Sequence, residues 1–189
     1  MMARTATEAE LIRRSQQGDE QAFGELVRRY YRLVVSVAYR LCNDPQLAED
    51  IAQETFLKAW QALPRFHTQR KDKDSTSLRA WLCRIAVNTA IDEMRRQRPT
   101  VGLEEVTLPD ATQATESIDQ TLDAEVVRSA IARLPERSRA ALILREYEGL
   151  SYQEIAEALD IPIGTVMSRL NYARKRLREE LENYLKAHE

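Results

Sequence analysis

The chain has 189 residues, room for one large domain or two small ones, and 43% hydrophobic with 31% charged residues marks an ordinary water-exposed protein. Only 5 Gly and 6 Pro, set against abundant Ala, Leu, Glu, Arg and Gln, favour helix and predict an all-α fold. The longest apolar stretch, around Leu33 to Tyr39, is too short to cross a bilayer, and residues 1–20 lack the apolar centre of a signal peptide, so a cytoplasmic location is expected.

The formal net charge of −2 is unevenly placed. Residues 1–98 carry 17 Lys/Arg against 13 Asp/Glu, residues 99–125 carry none against seven, and residues 126–189 carry 11 against 10. Two near-neutral modules with local basic faces, joined by an acidic tether, fit this better than one acidic body. Cys42 and Cys83 stand in no metal-ligand spacing, which gives no support to a zinc site or a disulfide framework. Buried, inert thiols are the expectation, with a redox switch as the alternative. No cofactor or metal is expected.

In chain order, the first module reads as helices at about 8–17, 19–42, 45–63 and 77–97. Gly18-Asp19 looks like a C-cap followed by an N-cap, Asp44-Pro45 like a cap with a first-turn proline, and Ser77 can cap the fourth helix. On the third helix, Ala48, Ala52, Thr55, Phe56, Ala59 and Leu63 form an inward face, while Asp50, Gln53, Glu54, Leu57 and Gln61 point outward. Leu57, ringed by acids and amides with Trp60 at the margin, reads either as an isolated exposed apolar residue or as part of a protein interface. The fourth helix is apolar on two sides: Leu78, Leu82, Ile85 and Thr89 on one, Cys83, Val87, Ala90, Ile91 and Met94 on the other. Between them runs a polar stripe of Arg84, Asn88, Asp92 and Arg95, with Trp81 just before it. Such a stripe suits either a structural Arg-Asp pair with a satisfied Asn, or nucleic acid met by guanidinium, amide and indole.

From Pro99 to about Thr121 helical periodicity fails, and Pro, Gly, Thr and acids mix with isolated aliphatics. The expected organisation is therefore an N-terminal domain over 1–98, an extended acidic linker over 99–121, and a C-terminal domain over 122–189. Helices follow at about 122–133 and 135–148, the latter closed by Gly149. Ser151 with Glu154 forms a capping box, Ile155, Ala156 and Leu159 bury one side of a short helix, and Ile161-Pro162 with Gly164 turns the chain into another. On that last helix Val166, Leu170, Ala173, Leu177 and Leu181 share one stripe, while Ser168, Asn171, Tyr172 and Lys175 lie opposite, flanked by Arg174, Arg176 and Arg178. This is a helix-turn-helix pattern, whose second helix can enter a DNA major groove; a solvated charged surface helix is the bland alternative.

Three strings carry a family resemblance: DPQLAEDIAQETFLKAW, RAWLCRIAVNTAIDEMRR, and LPERSRAALILREYEGLSYQEIAEALDIPIGTVMSRLNYARKRLREEL. In this order the chain resembles bacterial RNA polymerase sigma factors of the extracytoplasmic-function group. The resemblance implies a non-enzymatic initiation factor that binds core RNA polymerase, recognises minus-thirty-five and minus-ten promoter elements, and helps melt promoter DNA. It implies that Asp50, Gln53, Glu54 and Leu57 meet the clamp helices of the largest polymerase subunit, with a further contact on the flap of the second-largest. Phe66, Trp81, Arg84, Asn88 and Arg95 would hold the minus-ten element, Phe66 helping to enclose an unstacked base. Thr165, Ser168, Asn171, Tyr172, Arg174, Lys175 and Arg176 would read the minus-thirty-five element. An anti-sigma partner is implied as well, and a small-molecule substrate is not. The segment between Phe66 and Trp81 is longer than is usual in the family and brings in Arg70, Lys71 and Lys73. Met167 and Tyr172 stand where relatives often place cations. A repressor or activator of the ordinary helix-turn-helix kind is the rival reading, and an enzyme a remote one, since His67 and His188 lie in no catalytic constellation.

Overall fold

The computed structural model describes residues 6–66, 77–97 and 118–188, and these are helical, with no strand among them. The helices are α1 (Glu8–Gln16), α2 (Glu20–Cys42), α3 (Pro45–Ala62), α4 (Leu78–Gln97), α5 (Ile118–Ala132), α6 (Glu136–Glu146), α7 (Tyr152–Leu159) and α8 (Ile163–His188), with a 3-10 turn at Leu63–Arg65 after α3. The segment 67–76, including His67, Arg70, Lys71 and Lys73, and most of the expected linker, 98–117, lie outside the described residues.

Local chemistry places the breaks. Asp19 caps α2 by accepting the Ala22 N–H at 3.0 Å, after Gly18 has taken a left-handed φ of 87°. Arg14 and the cap hydrogen bonds hold the Asp19 carboxyl below the ordinary aspartate range, the backbone donor contributing most. Asp44 Oδ1 accepts from the Gln46 and Leu47 N–H groups and Pro45 fills the first turn of α3. Ser77 accepts the Ala80 N–H at 3.1 Å. Both halves of the Ser151/Glu154 capping box are formed, and α7 ends on Asp160 in the left-handed region at φ 54°, a conformation Asp tolerates better than most residues. One boundary differs from expectation: α5 begins at Ile118 rather than near 122, because Ile118, Leu122 and Val126 already repeat at helical spacing through what reads by composition as linker.

α1–α4 form one module, in which α2 packs on α1, α3 and α4, and α5–α8 form the other, in which α8 packs on α6, α7 and α5. The modules are not held apart. One continuous core runs from Leu26, Val37, Ile51 and Leu63 through Cys83, Val87 and Ile91 of α4 to Ile143, Leu144, Leu150, Ile155 and Leu170. A smaller cluster of Ile131, Leu134, Leu142 and Ala173 fastens α5 to α6 and α8. Both apolar sides of α4 are thereby used: it packs on α2 and α3 of its own module and on α7 of the other.

Candidate nucleic-acid interface

Three surfaces carry the predicted site residues. The first is α8. Val166, Leu170 and Ala173 are fully buried beneath it, so the opposite side must face solvent at helical period. Ser168, Asn171, Tyr172, Arg174, Lys175 and Arg176 are all exposed there, Tyr172 at 45%, and Thr165 is half-buried at the start of the helix. Ser168 donates to the Thr165 carbonyl at 3.0 Å, which turns its hydroxyl back toward the helix. Arg174 grips Glu146 of α6 at 2.7 Å, and that hydrogen bond holds the guanidinium above the usual arginine range. Arg176 pairs with Glu179 at 3.1 Å and Lys175 reaches the same carboxylate at 3.9 Å. All are exposed pairs that a phosphate can displace at little cost. Ile163 and Met167 are also exposed at the leading end of α8, and the four-residue spacing from Met167 to Asn171 is the signal that could have placed Met167 on this face.

The second surface is the α4 stripe. Asn88, Asp92 and Arg95 are exposed, while Arg84 is half-buried. Both arginines reach across to the other module: Arg84 Nη2 to Asp160 Oδ2 at 2.9 Å and Arg95 Nη2 to Glu136 Oε2 at 3.3 Å. The structural Arg84–Asp92 or Arg95–Asp92 pair left open by the sequence is not among the ion pairs formed; the partners come from α6 and the α7 C-cap instead. Asn88, Asp92 and Arg95 rim a cleft of about 220 Å³ whose far wall includes Arg137 and Arg169. Burial, with Arg137 beside it, pulls Arg169 below the usual arginine range, so this wall is electropositive and crowded. Phe66 is 6% exposed and packs on Trp81 with ring centroids 4.6 Å apart and the planes tilted by 33°, so the indole, half-buried, is the outer ring of the pair.

The third surface is the outer side of α3. Asp50 and Gln53 are exposed and Leu57 stands 53% exposed among them. Glu54 is half-buried and paired with Lys58 at 3.2 Å, and Lys58 also donates to Thr89 of α4. Trp60 is drawn off this face onto Phe23, 4.8 Å between centroids.

Neither cysteine is near these surfaces as an exposed thiol. Cys83 is buried and its thiol is pushed up to about 12, chiefly by burial and then by the Glu148 charge; Cys42 is half-buried and raised by the same desolvation. Among the described residues no cluster could hold a metal ion and no helix is long and apolar enough to cross a membrane.

Residues 26–100 match the family model described as Sigma-70 region 2, and residues 124–177 match Sigma-70, region 4. The chain is 34% identical to the RNA polymerase sigma-H factor of Pseudomonas aeruginosa, over 94% of this chain and 95% of that one. It is also 34% identical to the ECF RNA polymerase sigma-E factor of Haemophilus influenzae, over 96% and 98%. Among solved structures it resembles CnrH in complex with the cytosolic domain of CnrY, with a TM-score of 0.68 at 28% identity over 92% of this chain and 96% of that one. It further resembles the sigma factor RpoE in complex with the anti-sigma factor NepR from Bartonella quintana, with a TM-score of 0.63 at 28% identity over 85% and 96%.

Proposed function

Because this chain belongs to the extracytoplasmic-function sigma factors of bacterial RNA polymerase, we propose that its three surfaces divide promoter recognition among them. As a sigma factor it brings core RNA polymerase to promoter DNA and starts transcription. The division of labour rests on one observation above all: the polar side of α8 lies opposite a fully buried stripe, and so is presented as a rigid rod outside the core.

An α-helix fits the roughly 12 Å width of the major groove. Thr165, Ser168, Asn171 and Tyr172, in the first turns of α8, reach base edges of the minus-thirty-five element, with Met167 available to a thymine methyl. Arg174, Lys175 and Arg176, further along, exchange their carboxylate partners for phosphates and fix register. The α4 stripe takes the minus-ten element as a separated strand. Trp81 offers a stacking face, Asn88 an amide for a base edge, and Arg84 and Arg95 phosphate contacts; Phe66, buried behind the indole, supports it from below. Capture of an unstacked base offsets an unpairing cost of about a few kcal/mol. The α3 face, with Leu57 as apolar centre and Asp50, Gln53 and Glu54 around it, docks on the clamp helices of the largest polymerase subunit, and the C-terminal module reaches the flap of the second-largest.

The chain acts by binding, with no covalent step of its own, and works in the cytoplasm where its DNA and polymerase are. An anti-sigma protein holds it in reserve, by analogy with the solved RpoE captured with the anti-sigma factor NepR and CnrH captured with the cytosolic domain of CnrY. Run-off transcription with core polymerase on a promoter library is expected to give transcripts only when this chain is added, from templates sharing two hexamers. Asn88→Ala is expected to reduce permanganate-detected opening more than duplex binding. Absence of any transcript from the whole library overturns the assignment.

A further inference from the structure

We infer that Gln16, at the end of α1, is a positioning residue for the minus-ten strand: its amide holds the Phe66 turn by two carbonyls and so sets the ring on which Trp81 rests. The consequence for the strand rests on the reading of Phe66 and Trp81 given above; the hold on the turn does not.

The turn needs an outside donor because of how α3 ends. Pro64 has no N–H to add to the helical ladder, and the chain tightens into the 3-10 turn Leu63–Arg65. The Phe66 N–H donates to the Leu63 carbonyl at 3.0 Å, and Phe66 itself has become extended, at φ −77° and ψ 125°. Carbonyls at a helix end lack intrahelical donors. Gln16 Nε2 answers two of them, donating to the Leu63 carbonyl at 3.2 Å and to the Phe66 carbonyl at 2.6 Å. A primary amide has two N–H groups on one nitrogen, and the Leu63 oxygen has a second lone pair to accept one of them beside the Phe66 N–H. Among the described residues no other side chain donates to the backbone of residues 63–66.

The mount behind this amide is rigid. Leu11, Ile12 and Ser15 are buried, Ser15 donates to the Leu11 carbonyl at 2.7 Å, and Arg14 pairs with the Asp19 cap at 2.6 Å, so the last turn of α1 is fixed on both sides of Gln16. From there the amide reaches across 47 and 50 residues of sequence to a turn whose aromatic ring lies in the core and packs on Trp81. A displaced Phe66 carbonyl displaces that ring, and the half-buried indole resting on it tilts. α1 carries none of the residues assigned to DNA or polymerase, so its influence on the strand passes through this pair of hydrogen bonds. A carboxylate at position 16 would have the same shape but would face two carbonyl oxygens with no proton to offer.

The test uses the full chain with Trp60→Phe, which leaves Trp81 as its one indole. Gln16→Glu in this chain is expected to move Trp81 emission to the red and raise its quenching by acrylamide, with helix content by circular dichroism unchanged. With core polymerase, on a promoter selected from the run-off library, permanganate-detected opening should slow by about fivefold, the worth of one hydrogen bond, while binding to core and to the closed promoter stays the same. Gln16→Lys, whose ammonium can donate to both carbonyls, should restore both signals. An unchanged Trp81 signal in Gln16→Glu overturns the inference, and so does a Gln16→Lys chain equally defective. Trp81→Ala separates the two readings. Opening slowed by Trp81→Ala, and no further by Gln16→Glu in that background, shows that Gln16 acts through the indole; a further loss of about the same size shows an independent structural role and overturns it. Opening at the native rate in Trp81→Ala overturns the assignment of α4 to the strand, and the consequence drawn here with it, while the emission shift in Gln16→Glu still supports the hold on the turn.

Discussion

α8 and α4 each carry a row of polar side chains suited to nucleic acid, yet they sit in opposite circumstances. α8 is buried along one stripe and offers the rest of its circumference to solvent. α4 is apolar on two sides, and the polar row squeezed between them has its two arginines engaged by acids of the other module. A duplex presents itself ready-made and needs only a rigid rod. On the function proposed above α4 meets a separated strand, and in the free chain its two arginines bridge to the other module instead.

That contrast can be broken or sharpened by substitution. The largest effect is expected from Leu170→Ala beneath α8. Removing a fully buried leucine should cost about 2–5 kcal/mol. Because the core is continuous, calorimetry should show one transition shifted downward rather than one of two. A second, unshifted transition would show that the modules fold separately. Next is Leu57→Ala on α3, which should weaken association with core polymerase by about tenfold, the size of an interface hot spot, while leaving duplex binding by the free chain untouched. Native gel titration against core polymerase reads it. Lys175→Ala should lower duplex affinity modestly and reduce the slope of log affinity against log salt by about 0.9, one phosphate contact, with promoter opening per bound complex unchanged. The smallest effect concerns Cys83. Since burial and Glu148 hold its thiol up at about 12, it should react with a disulfide reagent at pH 8 far more slowly than Cys42. The sign follows from the neutral form being favoured by folding: the thiol's share of stability is intact below pH about 9 and is lost as pH rises toward 12.

Much of this architecture was legible in the residues. Caps at Asp19, Asp44, Ser77 and Ser151 fixed helix starts because a side-chain oxygen beside orphan N–H groups is a local device that needs no tertiary partner. The outward position of Leu57 and the buried stripe of α8 follow from period alone. The second apolar side of α4 was visible too, but not what covers it, since periodicity tells that a face is buried and not against what. Nor could spacing show that Arg84 finds Asp160, 76 residues away, or that the chain near Ile118 is already helical within an acidic, Thr-rich stretch. The resemblance gives Phe66 a part in enclosing an unstacked base, and nothing in the sequence near it shows that its ring is buried against Trp81.

One residue between α6 and α7 fastens the turn it sits in to two helices of the other module. Glu148 is grasped twice, its carboxylate by Ser36 on α2 and its main-chain oxygen by Arg79 on α4. A tie to two neighbouring helices at a single point restrains sliding along either of them, so the turn between α6 and α7 is fixed in register against both α2 and α4.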